Sequence, residues 1–182
     1  MLRLAGQAPY RRSPPQLKHL ATQQHPAEVQ MLIDGACHCG AITFTAEVDP
    51  ARVMVCHCSD CQVLSGSPFR HVVPADTQHF VLTGNPTVYV KVADSGNRRV
   101  QAFCPACGTP IYSSATESPT WVSIRLGCVS QRAALKPSAQ IWCHSALPWL
   151  SELSSVPGSP EQQAISAALP APEPLASARK AA

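Results

Sequence analysis

At 182 residues, with nine cysteines, 18 prolines and only 14% charged side chains, the chain has room for one packed domain plus tails. Its formal charge of +3 equals that of residues 1–30, where Arg3, Arg11, Arg12 and Lys18 face Glu28 alone, while residues 31–153 are charge-balanced. That balance argues against a general nucleic-acid-binding surface, and no apolar run approaches the roughly 20 residues of a membrane-spanning helix.

In chain order, residues 1–30 read as a disordered or non-native N-terminal extension, although a basic, acid-poor composition also suits a transit peptide. A domain is expected from Met31-Leu-Ile-Asp-Gly35 to residue 153. Alternation and β-rich composition predict strands at Ala41–Val48, Phe69–Val73, His79–Leu82, Thr87–Val92 and Trp121–Leu126. Ser59–Ser65 is expected to form a single helical turn, with turns at Thr83-Gly-Asn-Pro86 and Asp94-Ser-Gly-Asn97. Residues 154–182 are rich in Ala, Pro and Ser and read as a disordered tail with a transient helix at Glu161–Leu169. The fold class is therefore mainly β, with few short helical turns.

Seven of the nine cysteines cluster as Cys37-x-Cys39, Cys56-x-Cys58-x-x-Cys61 and Cys104-x-x-Cys107-Gly108. Cysteines one to three residues apart bridge poorly to each other but can turn their thiolates toward one cation about 2.3 Å away, and zinc suits soft sulfur donors. A closed structural site takes four ligands, so seven reads as four plus three, and three leave a position open for water or substrate. Cys37 and Cys39 share one face of an extended segment and supply two ligands. The Cys104–Cys107 knuckle supplies two more, its glycine letting the backbone come close. Cys56, Cys58 and Cys61 could hold a metal by themselves. The reading is Cys37, Cys39, Cys104 and Cys107 around a structural zinc, and Cys56, Cys58 and Cys61 around an open, catalytic one. A rival grouping joins Cys58 and Cys61 to Cys104 and Cys107 as a zinc ribbon, and spacing alone leaves it standing.

Five pieces occur in order: Gly35-x-Cys-x-Cys-Gly40, Cys56-His-Cys-x-x-Cys61, Ser65-Gly-Ser-Pro-Phe69, Phe103-Cys-x-x-Cys-Gly-Thr-Pro110, and Ile141-Trp142 followed by Leu147-Pro-Trp149. In this order, over about residues 31–153, the chain resembles the glutathione-dependent formaldehyde-activating enzyme (GFA) family, which shares its domain with centromere protein V. The resemblance implies an Mss4-like β fold, a structural zinc held by the first and last clusters, and a labile three-cysteine zinc in the middle. It also implies a carbon–sulfur lyase or thiol-adduct synthase, nominally joining glutathione to formaldehyde as S-hydroxymethylglutathione. The partners would be a small thiol such as glutathione and a small aldehyde.

Other residues invite plainer readings. His38 and His57 lie between ligand cysteines and should point away from the metal, toward solvent or in support of the ligands. Asp60 reads as a cap or surface charge near the helical turn. Cys128 and Cys143 are expected to be small buried residues, and Trp142, Pro148 and Trp149 core or rim packing. Arg70, Arg98, Arg99 and Arg125 are all candidates to receive a ligand's carboxylates, with nothing in the sequence to choose among them. Exposed thiolates need reducing conditions, so the cytoplasm is the expected compartment. A non-catalytic zinc scaffold for protein interaction and a thiol-based zinc or redox sensor are the alternative functions.

Overall fold

The computed structural model describes residues 30–92 and 96–161. The expected N-terminal extension, Asp94 and Ser95 of the second turn, and the helix beyond Glu161 lie outside the described residues.

The described chain is mainly β. Ten strands run β1 (Met31–Ala36), β2 (Thr43–Val48), β3 (Met54–Cys56), β4 (Arg70–Asp76), β5 (Phe80–Thr83), β6 (Thr87–Val92), β7 (Arg98–Phe103), β8 (Pro110–Ala115), β9 (Trp121–Arg125) and β10 (Ala139–Ile141), with α1 (Ser59–Ser65) between β3 and β4. They form a three-stranded sheet, β1-β2-β5, and a seven-stranded sheet, β10-β3-β4-β9-β8-β7-β6. Every pairing is antiparallel except β10 on β3. The expected strands at 41–48, 69–73, 79–82, 87–92 and 121–126 thus correspond to β2, β4, β5, β6 and β9. The segment 59–65 forms a two-turn α-helix rather than a single turn, and Pro148–Ser155 winds as 3-10 helix past the expected boundary at 153.

Strand period places the core. Along β2, Phe44, Ala46 and Val48 are buried while Thr43, Thr45 and Glu47 are exposed, so one face of the small sheet is dry. Val73 and Ala75 of β4 and Val122 and Ile124 of β9 turn the core face of the large sheet toward it. Phe80 joins the layers, its ring centroid 5.7 Å from Phe44 and 5.4 Å from Tyr112. Each fully buried aliphatic side chain here contributes about 1.5–3 kcal/mol of transfer free energy. Gly35 lets this packing close: it faces Phe44 across the β1–β2 ladder, and a Cβ there would meet the Phe44 ring at 2.3 Å and the Cys128 carbonyl oxygen at 2.5 Å.

The opposite face of the large sheet is polar. Cross-strand partners share a face, and the pairs Cys56 with Arg70, Val72 with Arg125, Ser113 with Ser123, Gln101 with Ser113, and Tyr89 with Gln101 trace one line across it. Helix α1 is tethered to this face by the ion pair of Asp60 with Lys91 on β6. Gly66 ends the helix in the left-handed region at φ 61°, its amide donating to the Gln62 and Val63 carbonyls.

Candidate metal centres

The first centre is built by two knuckle turns. Gly40 (φ 79°) donates its amide to the Cys37 carbonyl at 3.0 Å, and Gly108 (φ 73°) donates to the Cys104 carbonyl at 2.9 Å. Both turns need a residue at positive φ, which glycine supplies without steric cost. Thr109 fastens them together: its Oγ1 accepts from the His38 amide at 3.1 Å and lies 3.2 Å from Cys107 Sγ. The ligand atoms of Cys37, Cys39, Cys104 and Cys107 all lie within 4.8 Å of one another. Cys37 Sγ is 3.6 Å from Cys39 Sγ, which is 3.7 Å from Cys104 Sγ. Four sulfurs set tetrahedrally at zinc's usual bond length stand about 3.8 Å apart, and disulfide sulfurs about 2 Å, so the spacing fits a cation and not a bridge.

Electrostatics agree with that fit. The Thr109 hydroxyl and amide hold Cys107 down at about 5. Against the Ala41 amide, which favours its thiolate, Cys39 is pushed up to about 11 by Cys37, Cys107 and Cys104. Four sulfurs this close cannot all ionise by themselves, and a divalent cation removes the conflict.

The second centre gathers the ligand atoms of Cys56, Cys58 and Cys61 within the same 4.8 Å limit, with Cys56 Sγ 3.5 Å from Cys58 Sγ. Cys56 ends β3, Cys58 is the N-cap of α1 and Cys61 lies in its first turn. Cys61 and Cys58 hold Cys56 at about 5, with Arg70 adding to the effect, while Cys56 and burial push Cys61 far up. The donor set is again soft sulfur at cation spacing, but with three members, and no fourth His, Cys, Asp or Glu joins the group among the described residues. Cys58 and Cys61 therefore group with Cys56 and not with the Cys104–Cys107 knuckle.

Neighbouring side chains hold this segment in place. Gln62 Nε2 donates to the His57 carbonyl at 2.7 Å and the Ser145 carbonyl at 2.9 Å, tying α1 to the Cys143–Ser145 turn. His57 is buried, not solvated: its Nε2 is 3.0 Å from Gln140 Oε1, its ring meets Phe69 edge-on, and its Nδ1 has no partner. His38 is exposed. Asp60 pairs with Lys91 and is not the cap. Cys143, expected inside, is exposed, as are Trp142 and Trp149, whereas Cys128 is partly buried with Sγ donating to the Arg125 carbonyl at 3.0 Å.

Among the four candidate arginines, burial chooses two. Arg98 is exposed and Arg99 stacks on Trp121, 4.9 Å from its ring centroid. Arg70 and Arg125 are 5% and 7% exposed and converge on one acceptor, Gln101 Oε1, at 3.1 and 2.9 Å. Burial, with Arg70 beside it, pushes Arg125 below its ordinary range to about 9, while Cys61 opposes the shift. Both line a cavity of about 480 Å³ and an adjoining one of about 380 Å³. Gln101 escaped the sequence reading because only strand register brings it to the arginines.

Comparison with known proteins places these centres in context. Residues 32–145 match the family described as glutathione-dependent formaldehyde-activating enzyme. An uncharacterized lyase of Schizosaccharomyces pombe is 31% identical over 83 residues, covering 46% of this chain and 58% of the relative, so the chain spans little more than half of that protein. The crystal structure of a Rhodobacter sphaeroides protein aligns with a TM-score of 0.47 and 19% identity over 59% of this chain and 98% of the other.

Proposed function

From the premise that the chain belongs to the glutathione-dependent formaldehyde-activating enzyme family, we propose that it is a zinc-dependent carbon–sulfur lyase or thiol-adduct synthase acting at Cys56, Cys58 and Cys61. The observation that carries this reading is the three-sulfur centre, which no fourth His, Cys, Asp or Glu joins among the described residues. Cys37, Cys39, Cys104 and Cys107 form the structural site in this reading, which takes the domain as residues 31–153 and a reducing compartment such as the cytoplasm.

Zinc bound by the three cysteines would supply Lewis acidity that lowers the pKa of a thiol entering the open position. The chain's own residues do the rest. Cys56, fixed at the end of β3, and Cys58 and Cys61, fixed by α1, bring three sulfurs to one place. Arg70, paired with Cys56 across the β3–β4 ladder, sets a positive charge beside the centre and adds to the effect of Cys61 and Cys58 in favouring the Cys56 thiolate. In the forward reaction the substrate sulfur bonds to the aldehyde carbon, the carbonyl pair moves to oxygen, and the proton lost by the thiol ends on that oxygen. The lyase direction is the reverse.

The test is exchange spectroscopy with ¹³C-formaldehyde and glutathione. Wild-type protein should speed exchange between free formaldehyde and the S-hydroxymethyl adduct, and Cys58→Ser should return the rate to that of the uncatalysed mixture. Equal rates for wild type and Cys58→Ser would remove the catalytic reading. A scaffold role has one observation in its favour, the exposed Trp142, Trp149, Leu153 and Val156 that follow β10.

A further inference from the structure

The polar face of the large sheet holds two buried cations, Arg70 and Arg125, that have no carboxylate partner among the described residues. Arg70 and Arg125 share a single neutral acceptor, Gln101 Oε1, and Arg70 Nε is buried with no hydrogen-bond partner. Among the described residues, the ion pairs are His79 with Glu47 and Lys91 with Asp60, so no carboxylate pairs with either guanidinium. A buried charge that its neighbours only partly offset is costly, and a like-charged neighbour adds to the cost. The depressed ionisation of Arg125 reports the same conflict.

Thiolates at the neighbouring centre offset part of this charge. Zinc with three thiolates carries one net negative charge, against two positive charges on the arginines. The arginines also do not use their donors on the cysteines: their hydrogen bonds run the other way, along the sheet to Gln101 on β7. Both arginines line the 480 Å³ cavity together with Gln101, Leu64 of α1, Tyr89 and Pro110. Two guanidiniums lining a largely apolar cavity can receive a carboxylate through paired N–H donors.

We propose that Arg70, Gln101 and Arg125 form a carboxylate seat that selects thiols bearing an acidic group, the carboxylate lying in this cavity while the sulfur reaches the Cys56–Cys58–Cys61 centre. The inference deepens the proposed function and rests on its reading of a thiol substrate. Small serines make the seat possible. Ser113 on β8 pairs with Gln101 on one side and, on the other, with Ser123, two residues before Arg125 on β9, so small side chains stand on the sheet face between Gln101 and the strand of Arg125. Gln101 acts as spacer, its one oxygen holding both guanidiniums in place without neutralising them.

Calorimetric titration of the zinc-loaded full chain tests the seat separately from the chemistry. The probes are S-methylglutathione and 3-(methylthio)propionate, each against its methyl ester; the methylated sulfur of each has no proton to lose. At least one acid should bind wild type, bind it more tightly than its ester, and lose at least about 30-fold in affinity in Arg70→Gln and Arg125→Gln, as expected when one member of a buried charge pair is removed. Gln101→Glu should abolish acid binding while raising the thermal midpoint, because it builds the missing anion into the protein; that variant guards against loss of binding through misfolding. Esters binding as well as acids, no acid binding at all, or both arginine variants binding like wild type would overturn the seat. Acid binding without turnover would retire the proposed reaction and leave the seat standing, whereas turnover indifferent to esterification would retire the seat alone.

Discussion

Arg70 stands directly across the β3–β4 ladder from Cys56, their Cα atoms paired in register, so the guanidinium and the thiol share one face of the large sheet. Arg70 favours the Cys56 thiolate and is itself 5% exposed, so the pair sits where solvent screens little. The relationship links the metal centre to the polar face and makes Arg70 a tuning residue for the metal.

Arg70→Met keeps the length of the side chain and removes its charge. Zinc at the three-cysteine centre should then be held about 10–100-fold more weakly, in the range seen when groups that support metal ligands are lost. Competition with a chromogenic chelator measures this, and the more tightly held zinc should leave at the wild-type rate. Equal loss from both centres would indicate general loosening of the fold instead.

Gly35→Ala should destabilise the fold by about 1–3 kcal/mol, the cost of overpacking a filled core. The added methyl meets the Phe44 ring, which can tilt, and the Cys128 carbonyl, which is backbone and cannot easily move. Urea unfolding of the zinc-loaded protein reads the loss. A paired Gly35→Ala, Phe44→Leu variant should recover only the part owed to the ring.

Ile124 is 0% exposed on β9, at the centre of the core face, two strands from the knuckle that carries Cys104. Ile124→Ala should cost about 2–5 kcal/mol through lost burial and the cavity left behind. If the two faces of the sheet are energetically separate, zinc stoichiometry should stay unchanged below the new unfolding transition. Early zinc loss would show that core packing and the metal centres are coupled.

Asp34 lies on β1, where its carboxylate accepts from Ser130 Oγ at 2.6 Å and Gln131 Nε2 at 2.5 Å, which lowers its pKa below 3.8. A folded-state pKa below the unfolded value contributes stability above about pH 3.8 that is lost as pH falls through the folded value. Asp34→Asn should therefore remove a pH-dependent increment: the gap in thermal midpoint between wild type and variant should be widest near neutrality and close in acid. A gap constant with pH would assign the effect to shape rather than charge.

Much of this was legible because the signals were local. The cysteine spacings, the Ser59–Ser65 helix and β6 at Thr87–Val92 each rest on a few consecutive residues, and the alternation of Thr43–Val48 shows its buried face directly. Strands β1, β3, β7, β8 and β10 were missed for physical reasons. Met31–Ala36 includes Asp34 and Gly35, Pro110–Ala115 opens on proline and carries two serines, and Arg98–Phe103 turns Gln101 to a polar face, so none shows the dry alternation of a half-buried strand. Met54–Cys56 and Ala139–Ile141 are three residues each and exist by pairing with one another across the sequence. The arginine pair was illegible for the same reason: Arg70, Gln101 and Arg125 meet only after three strands find their register.

The central claim is two cysteine centres with different duties, and zinc counting on anaerobically purified protein tests it most directly. Wild type should hold two zinc ions, and the triple Cys56→Ser, Cys58→Ser, Cys61→Ser variant one, with its circular dichroism and thermal unfolding cooperativity retained. Cys104→Ser, by contrast, should lose the fold. One zinc in both wild type and the triple variant, or a triple variant that unfolds as Cys104→Ser does, would contradict the account.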